Sequence, residues 1–171
     1  MKKDPFLFYL KDTGIIPNSV LPLVIYQQVF NDRGLTGATW LENRFAENGW
    51  LKAWRDSVFP YTHYHSITHE VLGVYQGKSL LQFGGDDGES ISVRAGDIVV
   101  IPAGVAHKKL QEKDEFRVVG SYPNGMDYDI KTVAHDEYEE ALINIPKVPL
   151  PHNDPIFGPL NGIRKFWKEN G

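Results

Sequence analysis

Four of the six histidines, His63, His65, His69 and His107, fall in one stretch of the chain, and three of them lie within the seven residues 63–69. Neutral imidazole is the commonest protein ligand for transition metals, so the crowding points first to metal chemistry. The chain has no cysteine, which excludes disulfides, thiolate zinc sites and cysteine nucleophiles, so any ion must be held by nitrogen and oxygen. An extended segment alternates its side chains, so His63 and His65 emerge from one face, about 6.5 to 7 Å apart along the backbone. Two imidazoles can then approach one ion. Glu70 follows five positions after His65, which on a straight strand is the opposite face. A turn at Ser66 to Thr68 reverses that parity. It lets Glu70 re-enter from the neighbouring strand with Leu72 and Val74 on its side, while His69 points away or sits in the turn. His107 follows the Pro102–Gly104 turn and can close the site from a further strand. His69 stays open as an alternative ligand or as a supporting, non-ligating neighbour. His135 and His152 each stand alone in a polar or proline-rich segment and are read as ordinary histidines.

Three imidazoles and one carboxylate suit divalent Fe, Mn, Ni, Co or Zn better than Ca. If the ion is six-coordinate, four protein ligands leave two positions for water, substrate or dioxygen, as a reactive rather than a structural site requires.

The elements that must position these residues are legible from pattern. The runs Phe6 to Leu10 and Leu21 to Phe30 are rich in Val, Ile, Tyr and Phe and read as strands. From Ala38 to Glu47 apolar residues recur at Ala38, Leu41 and Phe45, a helical spacing, and Asn48-Gly49 supplies a helix stop. Between Tyr61 and Pro123 short strands alternate with turn chemistry. Lys78 to Phe83 and Glu89 to Arg94 flank the hairpin loop GGDDG. Ala95-Gly96-Asp97 and Pro102-Ala103-Gly104 bracket the strand Ile98 to Ile101, and Phe116 to Tyr122 offers one more. A helix is expected around Asp136 to Ile143. The segment VPLPHNDPIFGPL cannot sustain a helix or a central strand, so the tail is expected to wrap the core, anchored by Phe157, Leu160, Phe166 and Trp167.

The chain, 171 residues and 19.4 kDa, is expected to form a single domain over 1–171, with a core of about 61–122 flanked by 1–60 and 123–171. A net charge of −4 and a pI near 5.8 provide no global attraction for phosphate backbones or anionic lipid, so neither nucleic acid nor membrane is expected as a partner. The apolar run near the start is cut by Lys11 and Asp12, too short for a signal peptide or a membrane span, and a cytoplasmic location is expected.

These residues resemble the two signature motifs of the cupin superfamily. The first runs G-x5-H-x-H-x3,4-E-x6-G, and HYHSITHEVLGVYQG supplies His63, His65, Glu70 and Gly77 at that spacing, with Ser57 at the leading glycine. The second runs G-x5-P-x-G-x2-H-x3-N, and GDIVVIPAGVAHKKLQ supplies Gly96, Pro102, Gly104 and His107, with Gln111 at the asparagine. Eight such matches arise by chance with a probability on the order of 10^-11 per placement. The flanking segments resemble those of small bacterial cupins of the YjlB-like group.

The resemblance implies an all-β fold, a double-stranded β-helix or jelly-roll barrel with one or two short flanking helices, and frequent homodimers. It implies a divalent metal inside the barrel on His63, His65, Glu70 and His107, and prefers Glu70 over His69. Metal-dependent oxygenase or isomerase chemistry on a small polar molecule follows as the functional expectation, with non-catalytic binding or sensing of a small ligand as the alternative. Lys109, two positions past His107, either shares its face near the barrel mouth and attracts an anionic substrate or is a solvated surface lysine.

Overall fold

The computed structural model describes residues 4–169. Its strands are β1 (Phe6–Phe8), β2 (Leu23–Tyr26), β3 (Trp50–Asp56), β4 (Glu70–Phe83), β5 (Glu89–Arg94), β6 (Ile98–Ile101) and β7 (His107–Pro123). Three α-helices accompany them, α1 (Gly34–Glu47), α2 (His135–Asn144) and α3 (Ile163–Phe166), with a 3-10 turn at Ile145–Lys147. All strand pairs are antiparallel, in the order β1-β2-β6-β4-β7-β3, and β5 pairs with the far half of β4. Among the described residues no helix is long and apolar enough to cross a membrane.

Strand parity sorts the apolar residues into two cores. Leu23, Ile25, Leu72, Val74, Val99, Ile101 and Val118 fill the inside of the curled sheet, together with Leu81, Phe83, Val93 and Phe116. Their chain neighbours Val24, Tyr26, Val71, Ile98, Val100 and Val119 face outward, where α1 and the C-terminal segment cover them. A sheet buried on both faces produces the unbroken apolar runs of β2 and β6, LVIY and IVVI, buried at every position. Helix α1 presses Ala38, Leu41 and Phe45 onto the outer face. It can come that close because position 73 is glycine: a Cβ there would lie 2.5 Å from Leu41 Cδ2.

The C-terminal segment is held by polar contacts as much as by burial. Trp50 Nε1 donates to Asn153 O at 3.0 Å, Asn48 Nδ2 to Pro155 O at 2.8 Å, and Trp167 Nε1 to Pro22 O at 2.8 Å. Of the four expected anchors, Trp167 is fully buried and Phe157 and Phe166 are partly buried. Leu160 is 80% exposed, which corrects its assignment: it lies in a surface bend and contributes no buried anchor.

The strands expected at 89–94 and 98–101 have those bounds. Two others are longer than their apolar runs, since β4 begins at Glu70 and β7 at His107. The polar run after His107 is held extended by pairing, with Phe83 opposite His107 and Lys78 opposite Lys113. Strand β3 was not foreseen. Its sequence WLKAWRD leaves five of seven positions exposed, and Lys52 adopts a positive φ of 57° where the register with β7 slips.

Candidate metal centre

The site is assembled from three pieces of backbone. His63 and His107 face each other in an antiparallel bridge, with His63 N donating to His107 O at 3.2 Å and His107 N to His63 O at 2.9 Å. Tyr64 makes the corresponding pair of bonds to Lys131 on its other side. The chain then bends at Ser66 and Ile67, where the Asp129 carboxylate accepts the Ser66 N–H at 2.7 Å and also its hydroxyl. That capped bend resets the alternation. Glu70 enters β4 on the face of Leu72 and Val74, inside the barrel, while His69 takes the parity of Val71 and faces outward.

Inside, one ligand atom from each of His63, His65 and His107 lies within 4.8 Å of the other two, and all three residues are buried. Glu70 Oε1 stands 3.5 Å from His65 Nε2 and 3.4 Å from His107 Nε2. The other ring nitrogens are all occupied by backbone carbonyls. His63 Nδ1 meets Tyr61 O at 3.0 Å, His65 Nδ1 meets Asp129 O, and His107 Nδ1 meets Val105 O at 3.1 Å. A carbonyl only accepts, so each Nδ1 carries the proton, and in the neutral ring the Nε2 lone pair is left free. Three such nitrogens therefore gather in one group, and the Glu70 carboxylate, which is not part of that group, lies against two of them, His65 and His107. This donor set fits a divalent transition metal, which could be held by the imidazoles with Glu70 beside them.

Without an ion, Glu70 competes for a proton on its neighbouring rings, whereas His63 stays neutral. Burial, reinforced by the neighbouring His107, depresses the His63 pKa to about 3, so its ring is neutral at physiological pH. Burial opposes ionisation of Glu70, yet the His65 and His107 rings hold its carboxyl well below the usual carboxylate range. Burial likewise disfavours a charged His65, but Glu70 outweighs it and draws that pKa upward. An anionic Glu70 beside imidazole nitrogens is a position that favours a positive charge.

Above the cluster lies a cavity of about 260 Å³. Its lining includes Trp54, Arg55, Phe59, Tyr122, Tyr128 and Ile130 besides the four clustered residues. Trp54 reaches the site because it lies across Gly120 on β7, where a Cβ would fall 2.2 Å from the indole. Its Nε1 donates to the Tyr122 hydroxyl at 2.9 Å. Burial, and then the Glu70 carboxylate, push the Tyr122 pKa far above its ordinary value, so the phenol keeps its proton.

Two residues singled out in the sequence lie elsewhere. The buried His69 ring turns away from the cluster: its Nδ1 accepts the Ala103 N–H at 2.9 Å, its Nε2 meets Pro149 O at 3.2 Å, and its face packs on Trp167. With both nitrogens engaged there, it is not brought to the metal position. The Lys109 ammonium donates to Ser57 Oγ at 2.9 Å and lies 3.3 Å from Glu112, and the residue does not line the cavity. His135 and His152 are exposed. The aromatic lining at Trp54, Phe59 and Tyr128 escaped the sequence reading. Trp54 and Tyr128 lie outside both motifs, Phe59 falls on one of the first motif's unspecified positions, and a lone aromatic carries no periodic signal.

An antiparallel sheet curled around a buried group of three histidines is the arrangement of a cupin jelly roll. The chain belongs to the YjlB-like cupins: it is 44% identical over 168 residues to the uncharacterized protein YjlB of Bacillus subtilis, an alignment covering 98% of this chain and 99% of that one. No family model matches. Among solved structures, acireductone dioxygenase from Bacillus anthracis, with a cadmium ion in its active centre, is 17% identical over 54% of this chain, at a TM-score of 0.40. An oxalate decarboxylase is 18% identical over 65% of this chain, at a TM-score of 0.36. The chain spans 62% of the first of these and 23% of the second.

Proposed function

We propose that the protein binds one divalent transition metal ion through His63, His65, Glu70 and His107, and that it is a metal-dependent enzyme of the oxygenase or isomerase type acting on a small molecule. The observation that carries this reading is the tautomer lock. Three Nδ1–H groups are anchored on backbone carbonyls, leaving the Nε2 sides of three clustered rings for a ligand at the lining of a cavity. When bound, the ion supplies Lewis acidity with positions left for a small chelating molecule. The chain's own residues orient the imidazoles, keep the Tyr122 proton beside Glu70, and screen the cavity with aromatic rings.

Elemental analysis of the wild type beside His63→Ala and His107→Ala tests the metal assignment. About one ion per chain is expected in the wild type and under a tenth in either variant, whereas equal content in all three rejects the assignment. Incubating the metal-loaded protein with diketones, thiols, phenols and sugars tests the enzyme reading, for which a recovered product is expected. Ligand-induced stabilisation without any product would instead establish a binding module.

A further inference from the structure

Away from the barrel cavity, three basic residues stand in one row across the sheet. Lys78 on β4 lies directly opposite Arg94 on β5 and directly opposite Lys113 on β7. Residues opposite one another on neighbouring strands share a face, and like charges placed there repel. Neighbouring strands lie about 4.7 to 4.9 Å apart, so the row is about 10 Å wide. All three residues are exposed, and among the described residues none of their side chains has an ion-pair or hydrogen-bond partner. The chain holds 22 acidic residues against 18 Lys and Arg, yet none of those acids pairs with this row.

The row lines a cavity of about 610 Å³, within the roughly 300 to 1,000 Å³ of small-molecule sites. It shares no lining residue with the cavity over the metal centre. Two carboxylates also line it, and both are engaged elsewhere. Asp97 Oδ1 accepts the Gln28 N–H at 3.0 Å and its Nε2 at 2.9 Å, and Oδ2 accepts the Arg94 backbone N–H at 2.9 Å. Glu112 lies 3.3 Å from the Lys109 ammonium. Arg33 adds positive charge at the Gln28 edge, donating to Gln28 Oε1 at 3.1 Å. It passes over Gly96, where a Cβ would fall 2.6 Å from Arg33 Nη2. Counting the lining residues and the side chains bonded to them, five cations (Lys78, Arg94, Lys113, Lys109 and Arg33) stand against two carboxylates. The Ser92 hydroxyl and the Gln111 amide, both without a partner among the described residues, add neutral hydrogen-bonding groups to the same walls.

We propose that this cavity binds a linear oligophosphate, free or carried on a small organic group, along the row Arg94, Lys78 and Lys113. A chain of phosphates laid across the strands relieves the repulsion along the whole row, whereas a single phosphate cannot span it. The guanidinium suits a phosphate through paired N–H donors, and the two ammonium groups act as point charges beside it. The site is independent of the metal reading, since it uses a different cavity and different residues.

Calorimetric titration of the full chain with tripolyphosphate, ATP, orthophosphate and citrate tests the proposal. Tripolyphosphate or ATP is expected to bind at least ~10-fold tighter than orthophosphate or citrate, and to weaken as salt is raised. Of the two, tighter ATP assigns the phosphates to an organic carrier, and tighter tripolyphosphate to a free chain. Lys78→Gln, Arg94→Gln and Lys113→Gln are each expected to weaken binding about 3- to 5-fold, and the triple variant at least ~20-fold. Their melting temperatures without anion are expected to equal or exceed that of the wild type, because repulsion is removed. Lys108→Gln, whose ammonium lies beside Asp86 instead, is expected to bind as the wild type does. The affinity is expected to be the same before and after metal is stripped by chelation and dialysis. Orthophosphate or citrate binding as tightly as tripolyphosphate and ATP overturns the proposal, as does undiminished affinity in the triple variant. Binding confined to the metal-loaded chain also overturns it, and assigns the anion to the metal centre.

Discussion

The molecule contains two buried clusters of polar groups built on opposite plans. In the C-terminal segment, Asp154 is fully buried and both of its oxygens are spent. Oδ1 accepts the N–H groups of Ile156 at 2.7 Å and Phe157 at 2.9 Å, and Oδ2 accepts the Tyr26 hydroxyl at 2.5 Å and the Ile163 N–H at 2.8 Å. That cluster closes on itself and ties the C-terminal segment to β2. In the barrel, His63, His65 and His107 satisfy their outer nitrogens and leave the inner ones facing Glu70 and a cavity. Burial is equally complete in both, so burial alone does not distinguish structure from site. What distinguishes them is whether the lone pairs are consumed by the protein or aimed at a space.

The comparison breaks most directly at Asp154. Asp154→Ala leaves a tyrosine hydroxyl and three backbone donors without an acceptor, and is expected to cost about 3 to 5 kcal/mol. Chemical denaturation measures that loss, and metal content per folded molecule is expected to be unchanged. His107→Ala should do the reverse. Removing a ligand is expected to lower metal affinity at least ~100-fold, equivalent to about 2.8 kcal/mol, while the stability of the metal-free chain changes far less. Chelating the ion from the wild type should lower stability by about 2.7 kcal/mol at a free metal concentration 100 times its Kd, and should lower that of His107→Ala by no more than about 0.4 kcal/mol at the same concentration. Thermal melts with and without chelator read this out.

Alkaline pH sharpens the contrast. Burial, and then Asp154, raise the Tyr26 pKa far above its ordinary value of 10.0. A group whose folded pKa is raised contributes stability that is intact below its unfolded pKa and is lost as pH rises past it, because only the unfolded chain then releases the proton. Wild-type stability is therefore expected to fall by up to about 1.4 kcal/mol per pH unit above pH 10, relative to Tyr26→Phe measured alongside. Equal slopes in the two proteins would contradict the Tyr26 assignment. Lys109→Met carries the smallest expected effect, within about 0.5 kcal/mol of wild-type stability and with metal affinity unchanged, since its ammonium is already paired away from the cavity.

Much of the frame was legible before any coordinates. Strands β5 and β6 are bracketed by turns whose residues leave few alternatives, and the helical recurrence of Ala38, Leu41 and Phe45 locates α1. Strand β3 and the first half of β7 were not legible. Both are held extended by a partner across the sheet rather than by β-forming side chains, so their sequences resemble exposed loops.

At the site the division is similar. Residue types and spacing by themselves determined that His63 and His65 share a face, that a bend must precede Glu70, and that the chain has nitrogen and oxygen donors but no thiolates. Those conclusions need only strand alternation and donor chemistry, both of which are local. Only the tertiary structure decided that His69 serves the C-terminal segment, that Lys109 is spent on Ser57 and Glu112, that Asp129 reaches His65 and Ser66, and that Trp54 and Tyr128 reach the cavity from distant positions. Each of these depends on which segment of backbone packs alongside. Burial of the whole sheet sets that packing, and no short stretch of sequence encodes it.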